Sequence, residues 1–525
     1  MNKNQAKIIL LLSLAVFILT FLITNRAWFR LDLTRNKAYT ISDVSRNLHR
    51  EISDQVRITY FVSDKLRQSY SMPGEIADLI TEYAAHSRGK IRFVQRDPAK
   101  AELLREIEEL GIVPQQIQVV EGNDITVATV YTGLLIEYLD REAVMPVVFS
   151  LDTLEYDLTS RIRALIRNVE RDLGIITGDA HRQFASEFGH LQRELLLSGF
   201  RLRLINPDDE IPSTLQAIIV LGGAEDLDEE QLSRIDSYVT GGGNALFAVD
   251  GIVVDTRGSL EARAAEDQGL LAMLANYGAV IRRAIVLDRT ALNLSFQTQG
   301  RVGTVFQTVR YPQWISVQSQ AGNAGHPVTA RFQGLDLFWA SPLELIPPPG
   351  VTADILFTST DNSWLQTNRF ITNPLQSQLF AEEMEQTLGT RILGASLSGV
   401  FPSAFEISPS SAPRQNPSRL IIVGDTDFAG QFMQVNRGEG RNLDFIIRAV
   451  EWLSNDEDIV AIRGRAGPLS RLDRITDPER RDAAMVFSRT LNTVVIPFLV
   501  VLTGVFIGLR RKAKTAKEKG YPGDV

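Results

Sequence analysis

The sequence predicts an α/β protein: a small thioredoxin-like α/β domain, then a doubly wound parallel-sheet domain carrying a β-containing insertion, bracketed by two transmembrane helices. Three observations point there. Short apolar strands alternate with amphipathic helices between Leu173 and Val249, β-branched runs recur between Val56 and Phe149, and a charge-free run stands at each end. The expected partition places an N-terminal anchor at 1–29, the small domain at 30–150 and a linking helix at 151–170. The parallel-sheet domain follows at 171–455, with its insertion at about 251–419. A charged return segment over 456–490 leads to a final membrane helix and basic tail at 491–525.

The terminal runs come first. Leu491 to Leu509 holds no formal charge, and nineteen helical residues rise roughly 28 Å, enough for a bilayer core. Arg510, Arg511, Lys512 and Lys514 then supply a cytoplasmic stop. Ile8 to Thr24 is a second such run, preceded by Lys3 and Lys7. No small-x-small cleavage site follows it, which favours an uncleaved anchor over a signal peptide. Arg26, Arg30, Arg35 and Lys37 oppose this orientation, but long loops translocate largely regardless of charge. The expectation is a two-span protein with both termini cytoplasmic and a large extracytoplasmic body.

Composition narrows the chemistry. The chain carries −8, the first seven residues +2 and the tail from Arg510 +4, which leaves about −14 between them. Such an acidic body has no electrostatic footprint for nucleic acid. With no cysteine, disulfides, thiol catalysis and zinc-thiolate or iron–sulfur sites are excluded. Five scattered histidines make a histidine metal cluster a poor expectation, and neither HExxH nor a phosphate-cradling GxxxxGK occurs. No metal and no cofactor is expected, and any ATP use belongs to another chain.

Along the chain, Ser42 is placed to cap a helix running to about Arg50, and Val56–Val62 reads as a buried strand. A helix from Gly74 to His86, a strand at Ile91–Val94 and a helix through Leu110 follow. The β-rich stretch from Ile117 to Phe149 completes a βαβα-then-hairpin order, without the CxxC of a redox module. In the linking helix, Leu154, Leu158, Ile162, Leu165, Ile166 and Val169 make one apolar stripe, with Arg161, Arg163 and Arg167 mostly elsewhere. Strands at Leu173–Thr177, Leu202–Ile205, Ala217–Leu221 and Ala245–Val249 alternate with helices. Asp228 and Gln231 form a capping box for one helix, and Gly241–Gly243 ends it. Beyond Gly251 the pattern loosens into polar, Gly- and Gln-rich segments, and 402–418 reads as an exposed loop. Leu420–Val423 resumes the sheet and Asn442–Ser454 is a helix.

Several phrases carry a resemblance: Arg30 to Ser42, Leu154–Thr159 (LEYDLT), Tyr311-Pro-Gln-Trp314, His326-Pro-Val-Thr329 and Gly424-Asp425-Thr426-Asp427-Phe428. In this order they resemble the gliding-motility GldG family, whose members are auxiliary components of ABC transport systems. The resemblance implies a class I amidotransferase-like middle domain and an inner-membrane location in a bacterium. It also implies partnership with a permease and a separate ATPase, and gliding itself is not implied.

In an open α/β sheet, ligands bind beyond the carboxyl ends of the strands. Gly178, Asp179, His181, Gly222, Gly223, Asp250, Asp425 and Asp427 all fall at such ends and form the candidate ligand-binding crevice. The bland alternative is that they are caps and turns. No catalytic residue is assigned, because no nucleophile accompanies Asp179 and His181, and Gly394-Ala395-Ser396-Leu397-Ser398-Gly399 misses the G-x-S-x-G spacing. Two readings follow. One is a non-enzymatic, membrane-anchored auxiliary subunit that binds a substrate, an envelope protein or a glycan. The other is an anchored hydrolase working at the crevice.

Overall fold

The computed structural model describes residues 41–454, apart from 100, 122–123, 150, 152, 168–170, 257, 301–302, 331, 406–415 and 435–438, together with isolated positions between 486 and 502. Helix α1 (Asp43–Glu51) begins at Ser42, whose side chain accepts from the Ser45 amide. Strand β1 (Val56–Val62), helix α2 (Met72–Ala85), strand β2 (Ile91–Arg96) and helix α3 (Ala101–Glu109) come next. The β-rich stretch forms two hairpins. Strands β3 (Gln115–Glu121) and β4 (Asp124–Val130) pair only with each other, while β5 (Thr132–Tyr138) and β6 (Arg141–Met145) join the sheet in the order β2-β1-β5-β6.

Helix α4 (Leu154–Arg167) packs its apolar stripe on this sheet, with Leu154, Leu158, Ile162 and Leu165 buried. Polar groups also cross this contact. Ser45 Oγ donates to Glu155 Oε1 at 2.7 Å, and Tyr83 Oη lies 3.0 Å from Thr159 Oγ1. Glu155 and Thr159 of the LEYDLT phrase therefore fasten α1 and α2 to α4. Arg161, off that stripe, is nonetheless buried, paired with Asp157 at 3.3 Å and donating to the Leu197 carbonyl.

The large sheet contains β7 (Asp172–Thr177), β8 (Arg201–Leu204), β9 (Ala217–Leu221), β10 (Ala245–Ala248), β13 (Ala279–Ile281), β18 (Leu343–Leu345), β19 (Val351–Thr358), β21 (Ile392–Gly399) and β22 (Ser418–Val423). Its order is β13-β18-β21-β22-β10-β9-β7-β8, with β19 also on β21. Every residue of β9 is buried, and alternate residues enter two separate cores. Ile219 packs with helix α8 (Glu439–Leu453) and helix α5 (Gly189–Leu197). Ile218 and Val220 pack with helix α6 (Glu229–Thr240) and helix α7 (Leu270–Tyr277). A strand covered on both faces has no polar alternation to show, hence the uninterrupted AIIVL.

The fold class is corrected in two respects. The sheet is not a doubly wound parallel one throughout: β8, β7, β9, β10 and β22 run parallel, but β21 is antiparallel to β22 and to β19. The Gly394–Gly399 phrase forms most of strand β21, packed inside the sheet between β19 and β22. The molecule is mixed α/β. The second correction concerns the membrane. Among the described residues no helix is long and apolar enough to cross one. The longest, α8, has 15 residues, roughly 22 Å, and its apolar side is spent on the sheet. Ile8–Thr24 lies outside the described residues, as does Leu491–Leu509 with its cationic stop, isolated positions aside. The bracket of two transmembrane helices, and the two-span inner-membrane placement drawn from it, are thus not supported.

After Gly251, β11 (Ile252–Val254) pairs with β12 (Ala262–Ala264) and β14 (Ile285–Asp288) with β20 (Ser363–Gln366), and the polar segment after β14 is a long hairpin. Strands β15 (Ala291–Gly300) and β16 (Gly303–Val317) pair along their length, and only Trp314 to Val317 of β16 reach β17 (Leu335–Phe338). Its base sits in an aromatic core of Tyr311, Trp314, Phe338, Trp339, Trp364 and Phe380.

Asn442, at the start of α8, is fully buried. Its Nδ2 donates to the carbonyls of Asp336 and Phe428, and its Oδ1 accepts from the Asp336 amide at 2.8 Å. Asn442→Ala strands all three backbone groups and should cost on the order of 3 kcal/mol. A fall in the urea midpoint with unchanged m-value is the expected result.

Candidate functional site

The carboxyl ends of β7, β9, β10 and β22 open into a crevice of about 500 Å³. Four loops shape its floor. At the end of β7, Gly178 lies against β9, and a Cβ there would meet Gly223 Cα at 2.5 Å. Gly222 and Gly223 both have positive φ, at 71° and 102°, a region that glycine enters freely. They also leave room for a neighbour: a Cβ on Gly222 would strike the Asp179 carboxylate at 2.2 Å. Asp179 Oδ1 accepts from the Gly223 amide at 2.7 Å.

The guanidinium of Arg182 holds this floor together. Its Nε lies 3.2 Å from Asp179 Oδ2 and its Nη1 lies 2.8 Å from Asp427 Oδ1. Asp250, at the end of β10, accepts from the Thr426 amide at 2.8 Å. Asp425 sits beneath, fully buried, accepting from the amides of Phe338 at 2.6 Å and Phe428 at 3.2 Å.

Of the residues singled out from sequence, Asp179, His181, Gly222, Gly223, Asp250 and Asp427 line the crevice. Gly178 and Asp425 do not; they pack behind it and shape it. His181 is exposed on the rim. Sequence reading missed Arg182, Trp339, Phe432 and the Glu225–Arg263 ion pair. Arg182 had a usable signal: clustered carboxylates at buried strand ends require a cation, and Arg182 stands three residues after Asp179. Trp339 had none. It adopts φ 56°, an outlier for so bulky a residue, with its indole Nε1 donating to Tyr311 Oη at 3.1 Å.

The electrostatics are those of too many acids in one place. Among the described residues Asp179, Glu187, Glu225, Asp226, Asp250, Asp255, Glu261 and Asp427 line the crevice, against Arg182 and Arg263. Burial, reinforced by the Asp427 charge, pushes Asp250 up to about 7 despite Arg182 nearby. Burial and the charges of Asp250 and Asp427 raise Asp425 well above the carboxylate range. Burial also raises Asp179, against the pull of Arg182. Burial works against the Arg182 charge, but Asp427, Asp250 and Asp179 outweigh it and hold that guanidinium above its ordinary value.

Among the described residues no group of histidines and carboxylates could hold a metal ion. No serine or cysteine is among the described lining residues. Elsewhere, Ser396 Oγ and His326 Nε2 lie 3.1 Å apart, but His326 Nδ1 accepts from the Val328 amide at 3.3 Å. That bond leaves the ring proton on Nε2, so His326 donates to Ser396 and is not its base. Both residues are buried in the core.

Comparison with known proteins gives one extensive family match, to the ABC-type uncharacterized transport system family over residues 170–455. A domain of unknown function, DUF7088, matches residues 35–137. An uncharacterized protein of Borreliella burgdorferi is 25% identical, over 98% of this chain and 99% of its own. Among solved structures, the mmIFT52 N-terminal domain is 14% identical with a TM-score of 0.33, covering 54% of this chain and 96% of that one. A putative ThuA-like protein from Parabacteroides merdae is 12% identical with a TM-score of 0.26, covering 55% and 91%. Likenesses this faint carry no argument about fold or function.

Asp250 generates a pH prediction. Its pKa is higher folded than its ordinary 3.8, so the folded chain binds the extra proton between about pH 4 and pH 7. This contribution is full below about pH 4 and is lost as pH rises through 7, at up to roughly 1.4 kcal/mol per pH unit. Asp250→Asn, which keeps an acceptor for the Thr426 amide, should flatten that decline. Urea unfolding of both proteins from pH 4 to 8 should show the variant gaining on the wild type as pH rises.

Proposed function

This chain belongs to the ABC-type uncharacterized transport system family, and from that premise we propose that it is a non-enzymatic, GldG-like auxiliary component of such a system. It works beside a separate permease and ATPase, and its strand-end crevice binds a polar ligand. The observation that carries this reading is the crevice: a walled cavity at the carboxyl ends of parallel strands, where this kind of sheet places its ligands. Among the described lining residues the carboxylates far outnumber the two guanidiniums, which favours a ligand with positive charge. The aromatic wall of Trp339 and Phe432, ring centroids 5.4 Å apart, suits such a group.

Non-catalytic work fits the chemistry at hand. Asp179 and Asp427 are engaged by Arg182, and Asp425 spends both oxygens on backbone amides. Carboxylates held this way shape a surface more readily than they exchange protons with a substrate.

The test is co-purification of the intact chain with the permease and ATPase of its own system, followed by transport measurements. Asp179→Asn combined with Asp427→Asn should lower transport at least tenfold while ATPase activity stays within about twofold. A hydrolytic turnover abolished separately by Asp179→Asn, His181→Ala and Asp425→Asn, with melting temperature unchanged, would overturn the non-enzymatic reading. Isolation as a lone chain would overturn the partnership.

A further inference from the structure

His49, in the last turn of α1, is 3% exposed, and neither of its ring nitrogens has a hydrogen-bond partner among the described residues. A buried imidazole ordinarily bonds through at least one nitrogen, so a bare pair calls for an explanation. The ring stands edge-on to Tyr83 of α2, with centroids 4.5 Å apart and planes at 85°. Tyr83 Oη reaches Thr159 Oγ1 of α4 at 3.0 Å, and Thr159 Oγ1 lies 2.8 Å from Ser45 Oγ, back on α1. Leu48 and Ile52, on either side of His49, are buried in the same core. His49 thus sits within the contact that fastens α1 to α2 and α4.

The charges around this contact favour a neutral ring. His86 ends α2, and Lys90 precedes β2, its Nζ donating to the carbonyls of His49, Arg50 and Ile52 at 3.2, 3.2 and 2.6 Å. That ammonium satisfies carbonyls at the end of α1 and fixes a cation close to the imidazole. The acids nearby have other partners. On α2, Glu82 faces His86 at 3.6 Å, while Glu75 and Asp78 belong to earlier turns. On α4, Glu155 accepts from the Ser42 amide and the Ser45 hydroxyl, Asp157 pairs with Arg161, and Arg163 adds a further cation. On α1 itself, Asp43 pairs with Arg46 at 3.4 Å and Glu51 with Arg167 at 3.1 Å. Burial draws the His49 imidazole from 6.5 down to about 4; the His86 backbone opposes this, and the charges of His86 and Lys90 assist it.

We propose that α1 is an acid-released latch, in which protonation of His49 detaches this helix from α2 and α4. The imidazolium would bury two N–H donors where neither nitrogen finds a partner and an ammonium already stands close by. It is accommodated only when α1 leaves. The sign follows from the protons bound. Detached, the histidine is in water and takes up a proton below about pH 6.5, whereas the docked helix takes one up only near pH 4. Docking is therefore fully retained above about pH 6.5 and weakens as pH falls toward 4. Between pH 7 and pH 5 this linkage raises the detached fraction about twentyfold. Asp250 acts in the opposite direction, strengthening the fold in acid, so the readout must be local to α1.

Hydrogen exchange of the full chain at pH 7 and pH 5, corrected for the intrinsic rate of each amide, supplies that readout. The opening constant over Asp43–Glu51 should rise about twentyfold, with no rise over α8. In His49→Phe, which keeps a ring against Tyr83 but cannot take up a proton, the rise should fall below about threefold. His49→Leu, a smaller apolar replacement, should behave in the same way and covers the case in which phenylalanine does not fit. An α1 that opens no faster at pH 5 in the wild type overturns the latch without recourse to any variant. So does an equal rise over α8, which is global unfolding, or a rise of wild-type size in the substituted chains.

Discussion

One guanidinium bridges the carboxyl edge of the large sheet. Arg182 follows β7, while Asp427 follows β22, and the strand order places β9 and β10 between them. At about 4.8 Å per strand this is a reach of roughly 14 Å across the sheet, made by the short loop after β7 folding back over strand ends that carry little bulk. The bare backbone of Gly222 and Gly223 leaves that path open, since any side chain at Gly222 would occupy the place of the Asp179 carboxylate. Glycine at these positions, acid at Asp179 and Asp427, and the cation between them are one arrangement. Remove the cation and several carboxylates face each other in a poorly hydrated space, the kind of loss that costs more than the pair itself contributes.

The segments most legible in the sequence are those whose determinants are local. The capping box of Asp228 and Gln231 forms as its spacing requires, and Ser42 caps α1 through the Ser45 amide. The apolar run of β9 shows a strand covered on both faces. Strand direction is another matter. Nothing within Ile392–Gly399 dictates a strand antiparallel to β22; its partners arrive from Val351–Thr358 and Ser418–Val423. The same holds for the Gln-rich hairpin, whose register is set by pairing across a turn and not by any apolar period.

The candidate site divides in the same way. Six of the eight residues placed at strand ends do face one cavity, because a parallel sheet gathers the residues after its strands onto one edge. What the sequence hid was the partner chemistry. Trp339 arrives from the aromatic core between β17 and β18 through a backbone conformation no propensity would assign to it. Net charge hid more still: a total of −8 does not say where the acids collect, and among the described residues eight of them line one crevice beside two arginines. Sign is a property of each surface, and it emerges only once the chain is folded.

The position of β22 has a further consequence for how the polypeptide is made. It fills the place beside β10, yet it begins roughly 170 residues after β10 ends. At bacterial or eukaryotic synthesis rates the ribosome needs on the order of ten to thirty seconds to deliver it. Throughout that interval the nascent β7-β9-β10 layer has an unpaired, wholly apolar margin, the form of exposed backbone that invites association with other chains. Late arrival of a central strand makes the half-built sheet the most vulnerable species on the route to the native molecule, and the one a chaperone would have most reason to hold.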